Sequence, residues 1–94
     1  MSAATGSDVR LLFVTSPTSG PARRMESVVA SLQTRNRHRV SIRRIDAEAE
    51  SDLVTRLGVR EIPTLLFVQD RREELRLEGR ATLEEIERAL EECT

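Results

Sequence analysis

The chain has 94 residues, enough for one modest hydrophobic core and no second domain. A third of the residues are charged, yet the net charge is −1 at pH 7, so no global field draws the chain to nucleic acid or a membrane surface. The single cysteine, Cys93, permits no internal disulfide, and the longest apolar run, Val9 with Leu11 to Val14, is far too short to span a bilayer.

Met1 to Asp8 is small and polar, without the basic and apolar regions of a signal peptide, and is expected to be a disordered tail on a cytoplasmic protein. Val9 to Val14 is rich in β-formers and fits a buried strand. Thr15 to Pro21 is dense in turn residues and helix-starting signals, with Pro21 suited to the first helical turn, where a missing N–H costs nothing. Met25, Val28, Val29 and Leu32 then recur at helical spacing, and the pattern fades near Asn36.

Arg39 to Ile45 reads as a second strand, with Val40 and Ile42 on one face and Ile45 on the other. Leu53, Val54 and Leu57 mark a short second helix that Gly58 closes. Val59 to Pro63 is a loop, and Thr64 to Val68 a strongly apolar strand. Gln69 to Arg72 is a turn lacking the usual glycine, and Glu73 to Leu77 alternates as an edge strand should. Thr82 and Glu85 form a capping box for a last helix whose apolar side carries Leu83, Ile86 and Leu90.

The order β-α-β-α-β-β-α fixes much of the architecture. The βαβ opening demands a parallel pair with a right-handed crossover, and the closing pair is an antiparallel hairpin. The expected fold is α/β, a mixed four-stranded sheet flanked by three helices on its two faces. With only Phe13 and Phe67 as aromatics, the core must be built mainly from Leu, Val, Ile and Ala.

Certain short stretches go further: Ser19-Gly20-Pro21-Ala22 before the first helix, Ile45-Asp46 ending the second strand, the run Gly58-Val59-Arg60-Glu61-Ile62-Pro63-Thr64-Leu65-Leu66-Phe67, and Gly79 after the last strand. Together they resemble the thioredoxin family over residues 9–93. The resemblance implies a thioredoxin-like fold, with Ser19 to Ala22 in the place of Cys-Gly-Pro-Cys and Pro63 in the place of the family's cis proline. Both active-site sulfurs are absent. Thr18 stands where the family carries tryptophan, and Phe13 where it carries a buried acid. A serine hydroxyl has no accessible anion at neutral pH, and alanine cannot resolve a mixed disulfide, so dithiol exchange and an enzymatic role are not expected.

The surface around Thr18, Ser19, Gly20, Pro21, Ala22, Ile62 and Pro63 is the candidate site for an extended peptide or protein partner. In the family the cis geometry turns the backbone of the preceding residue, here Ile62, outward to pair with such a peptide. The same Ile-Pro could instead serve packing alone. Likewise the amides from Ser19 to Ala22 could hold a carboxylate or phosphate, or Ser19 or Gly20 could simply cap the helix. Two further readings stay open: a KaiB-like module that regulates by docking on a partner, and a single-thiol or glutathione-dependent redox protein using Cys93.

Other residues point to no chemistry. Arg35, Arg37, His38, Arg39, Arg43 and Arg44 form a basic cluster without the aromatics or net charge a nucleic-acid site needs; they are expected to neutralise a helix end or to pair with the acidic stretch Glu84 to Glu92. His38 has no second ligand for a metal and, at the far end of the first helix, sits roughly 20 Å from Ser19, too far to activate it. Acidic neighbours and a helix C-terminus disfavour a Cys93 thiolate. No cofactor, metal, nucleic acid or membrane is expected, and the chain is expected to be a monomer.

Overall fold

The computed structural model describes residues 9–93, so the expected tail lies outside the described residues. The strands are β1 (Val9–Thr15), β2 (Val40–Asp46), β3 (Thr64–Gln69) and β4 (Arg72–Glu78), and the helices are α1 (Gly20–Arg35), α2 (Ser51–Leu57) and α3 (Leu83–Cys93). The sheet order is β2-β1-β3-β4. β1 and β2 are parallel, while β3 is antiparallel to both β1 and β4. The α/β fold expected from the element order is the one observed.

Period-two alternation along β1 divides the core in two. Val9, Leu11 and Phe13 face α1 and α3, where they pack with Met25, Val29, Leu32, Ile86 and Leu90. Val14 faces the other way and joins Ile45 and Leu66 beneath Leu53, Val54 and Leu57 of α2. Both phenylalanines are fully buried in the larger cluster. Full burial of such side chains is worth about 1.5–3 kcal/mol each, which makes this two-helix face the main source of stability. The short α2 has no fully buried residue of its own and adds less.

Local signals end the elements as the residue types require. Asn36 closes α1, its backbone N–H and its side-chain amide both donating to the Leu32 carbonyl. Gly58 closes α2 at φ 69°, a left-handed position that costs glycine little. The β3–β4 turn achieves the same handedness without glycine: Asp70 and Arg71 have φ 55° and 67°. Two successive positive φ values are what a tight two-residue hairpin turn demands. Thr82 and Glu85 form the reciprocal capping box of α3, at 2.8 and 3.1 Å. No helix among the described residues is long and apolar enough to cross a membrane.

Candidate functional site

One end of the sheet gathers the candidate residues. The parallel strands β1 and β2 finish there, with Thr15 beside Asp46, and β3 begins there, with Thr64 beside Val14 and Glu78. The loops leaving β1 and entering β3 therefore share one rim. The 16–22 segment and the Ile62–Pro63 segment lie on that rim, Gly79 closing it by donating its N–H to the Pro63 carbonyl at 2.8 Å.

A tight turn leads from β1 into α1, with the Ser19 N–H donating to the Ser16 carbonyl at 3.1 Å. Ser19 is the N-cap, extended at φ −95° and ψ 114°, and its hydroxyl accepts the Ala22 N–H at 3.2 Å. Pro21 occupies the first turn, where it forfeits no hydrogen bond. Gly20 and Pro21 are exposed, whereas Ala22 is buried under the helix. The cap expected at this helix start is formed. It engages the Ala22 amide.

A carboxylate also reaches this turn, from a residue that pattern reading passes over. Ser16 is almost fully buried, and its hydroxyl donates to Glu48 Oε2 at 2.8 Å. The Thr18 hydroxyl donates to the same oxygen at 2.8 Å. The two hydroxyl oxygens lie 3.0 Å apart, but each carries one proton, so with both directed at Glu48 their mutual contact holds none. Asp46 sets Glu48 in place by accepting the Glu48 and Ala49 N–H groups at 2.8 and 3.3 Å. The β2–α2 loop is thus latched onto the turn before α1. Asp-x-Glu at a strand end carries a turn signal, yet nothing in its spacing names Ser16 as the partner.

On the other side of the rim the Ile62–Pro63 bond is cis. Pro63 is buried, and the half-buried Ile62 packs its side chain against the α2 cluster. The Thr64 hydroxyl donates to the Glu61 carbonyl, and Pro63 gives its carbonyl to Gly79. No hydrogen bond to any described residue engages the Ile62 N–H or C=O. Gly79, at φ 83°, has the Glu61 carboxylate close against it; a Cβ there would lie 3.2 Å from Glu61 Oε2. Arg76 fastens the loop entrance, its guanidinium donating to the Leu57 and Gly58 carbonyls at 2.8 and 3.2 Å and to both Glu73 oxygens.

The remaining reactive side chains lie elsewhere. His38 is exposed in the turn beyond α1, at the opposite end of that helix from Ser19. Cys93, the last residue of α3, packs against the larger core cluster. Burial is the main force pushing its thiol up, with the charges of Glu74 and Glu92 adding to it. The direction agrees with the acidic sequence around it, but the leading cause is desolvation, which sequence alone did not reveal. Arg35 meets Glu87 at 3.2 Å, as the acidic stretch suggested, while Arg43 and Arg44 turn instead to Glu50 and Glu26. No group of three or more His, Cys, Asp or Glu among the described residues is placed to hold a metal ion.

Residues 4–92 match the Thioredoxin family. Solved structures agree in fold. The germline-specific thioredoxin Deadhead from Drosophila melanogaster superposes with a TM-score of 0.85 at 24% identity, over 97% of this chain and 86% of that one. Thioredoxin NaTrxh from Nicotiana alata gives 0.84 at 23%, over 97% and 77%. Fasciola hepatica thioredoxin gives 0.86 at 18%, over 96% and 85%. A search of the curated proteins finds no match.

Proposed function

Because the chain belongs to the thioredoxin family, we propose that it is a member that has left dithiol exchange and acts as a protein- or peptide-binding module. The binding surface is the rim formed by Thr18 to Ala22 and Ile62–Pro63. The observation that carries this reading is the unused backbone pair of Ile62, one donor and one acceptor beside an exposed Gly20–Pro21 edge. Backbone groups that are not paired within the fold are the groups an added extended segment can engage.

The chemistry of the rim supports the same reading. Ser19 is spent on capping, Ala22 is inert and buried, and the two hydroxyls of Ser16 and Thr18 both donate to one Glu48 oxygen, where they latch two loops together. A one-sulfur route through Cys93 finds no support, since that thiol is half-buried and its burial, with the charges of Glu74 and Glu92, disfavours the thiolate. No observation favours the KaiB-like alternative over the family's own mode of contact.

The test is to select extended peptides against the protein from a display library and follow their binding by backbone amide shifts. Shifts centred on Gly20, Ile62 and Gly79, lost in Ile62→Asp, are the expected result. Ligands that perturb only distant amides and bind Ile62→Asp equally well would remove the reading.

A further inference from the structure

Five of the fifteen arginines are ion-paired among the described residues, and of the other ten, five gather at one end of the sheet while Arg23, Arg24, Arg56, Arg60 and Arg80 lie elsewhere. Arg35, Arg43, Arg44, Arg76 and Arg88 meet carboxylates along the body of the molecule. At the end of the sheet opposite the candidate site, basic side chains collect with no such partners among the described residues. Arg10 lies in β1, Arg37, His38 and Arg39 lie in the turn into β2, Arg71 lies in the turn after β3, and Arg72 opens β4. No ion pair or side-chain hydrogen bond to a described residue engages any of the six.

The topology draws these residues together. The Val9 N–H donates to the Arg39 carbonyl at 3.0 Å, which ties the turn to the start of β1. Arg10 stands between Ser41 and Val68 in the strand register, on the face that α2 covers at its other end. Arg10 and Arg71 line one open hollow of about 440 Å³ with Ser41, Val68 and Asp70. Among the described residues, Asp70 is the only acid in that lining.

We propose that this hollow and its rim form a second binding surface, taking an acidic segment of a protein partner. It is independent of the Ile62 surface. Guanidinium forks match carboxylates two bonds at a time, and Arg10 and Arg71 present two forks on one concavity. The net charge of −1 means that attraction here is local and not a property of the whole surface. A single-stranded nucleic acid would need stacking platforms, but both aromatic side chains of the chain are buried in the core. Carboxylates in succession satisfy the hollow without them.

The experiment is fluorescence anisotropy of a labelled oligoglutamate peptide with the intact protein, at low salt and at about 150 mM salt. Binding is expected at low salt and should weaken as salt rises. Arg10→Glu with Arg71→Glu should weaken it about tenfold or more, and Arg37→Glu with Arg72→Glu, away from the strand interior, should act in the same direction. Arg56→Glu with Arg60→Glu makes the same change in net charge at exposed arginines near α2 and should alter binding by less than about twofold. Absence of binding, equal losses in all three variants, or tighter binding of an oligothymidine would overturn the proposal. So would loss of peptide binding explained by self-association of the protein, seen as a concentration-dependent mass that Arg10→Glu with Arg71→Glu abolishes.

Discussion

Ser16 and Glu48 stand 32 positions apart in the chain, yet the buried Ser16 hydroxyl donates to the Glu48 carboxylate at 2.8 Å. That contact joins the turn before α1 to the loop before α2 across the rim of the sheet. Glu48→Ala would take the shared acceptor from the Ser16 and Thr18 hydroxyls and leave Ser16 only its 3.0 Å contact with Thr18, at a cost of about 1 kcal/mol. Glu48→Gln keeps an acceptor oxygen and should cost less. Urea unfolding of the two variants measures the difference, and equal midpoints with the parent protein would show that the latch adds nothing.

Ser19 tests how much an N-cap adds to α1. Ser19→Ala should lower stability by about 1 kcal/mol, because the Ala22 N–H loses its acceptor. Ser19→Gly should cost only a few tenths. Thermal unfolding distinguishes them; a Gly variant as destabilised as the Ala variant would argue against capping.

Arg76 closes the C-terminus of α2 and so holds the entrance to the Ile62 loop. Arg76→Ala should cost about 1–2 kcal/mol and speed amide exchange from Gly58 to Ile62. Arg76→Lys keeps the charge but not the planar fork, and should recover only part of the loss. Unchanged exchange in that loop would separate Arg76 from the site.

Cys93 offers a pH readout. Its folded thiol is raised by burial and by Glu74 and Glu92, so the protonated form is favoured in the native state. The stability this contributes is present below the thiol's unfolded value and is lost as pH rises through the raised folded value. Alkylation at neutral pH should accordingly be slower than for a free thiol and climb only in the alkaline range. Neutral-pH alkylation faster than glutathione's would reverse the assignment.

The sequence disclosed the fold because its signals were local and consistent. Strand alternation placed Val40 and Ile42 opposite Ile45, the Thr82–Glu85 pair announced α3, and Gly58 ended α2 where a left-handed residue was needed. The β3–β4 turn was placed despite its missing glycine, but that Asp70 and Arg71 both adopt positive φ is visible only in three dimensions. At the site, residues adjacent in sequence were legible and residues joined by tertiary contact were not. Ser19 could be read as a cap from its neighbours, whereas Glu48, Arg76 and the burial of Cys93 depend on elements that meet only after folding.

The central claim is that a thioredoxin scaffold persists here without its electron chemistry. Insulin reduction driven by dithiothreitol asks this directly. The parent protein should run at the rate of a no-protein blank, while Ser19→Cys with Ala22→Cys, restoring a pair at the start of α1, should exceed it. Turnover by the parent protein that survives Cys93→Ser would contradict the account.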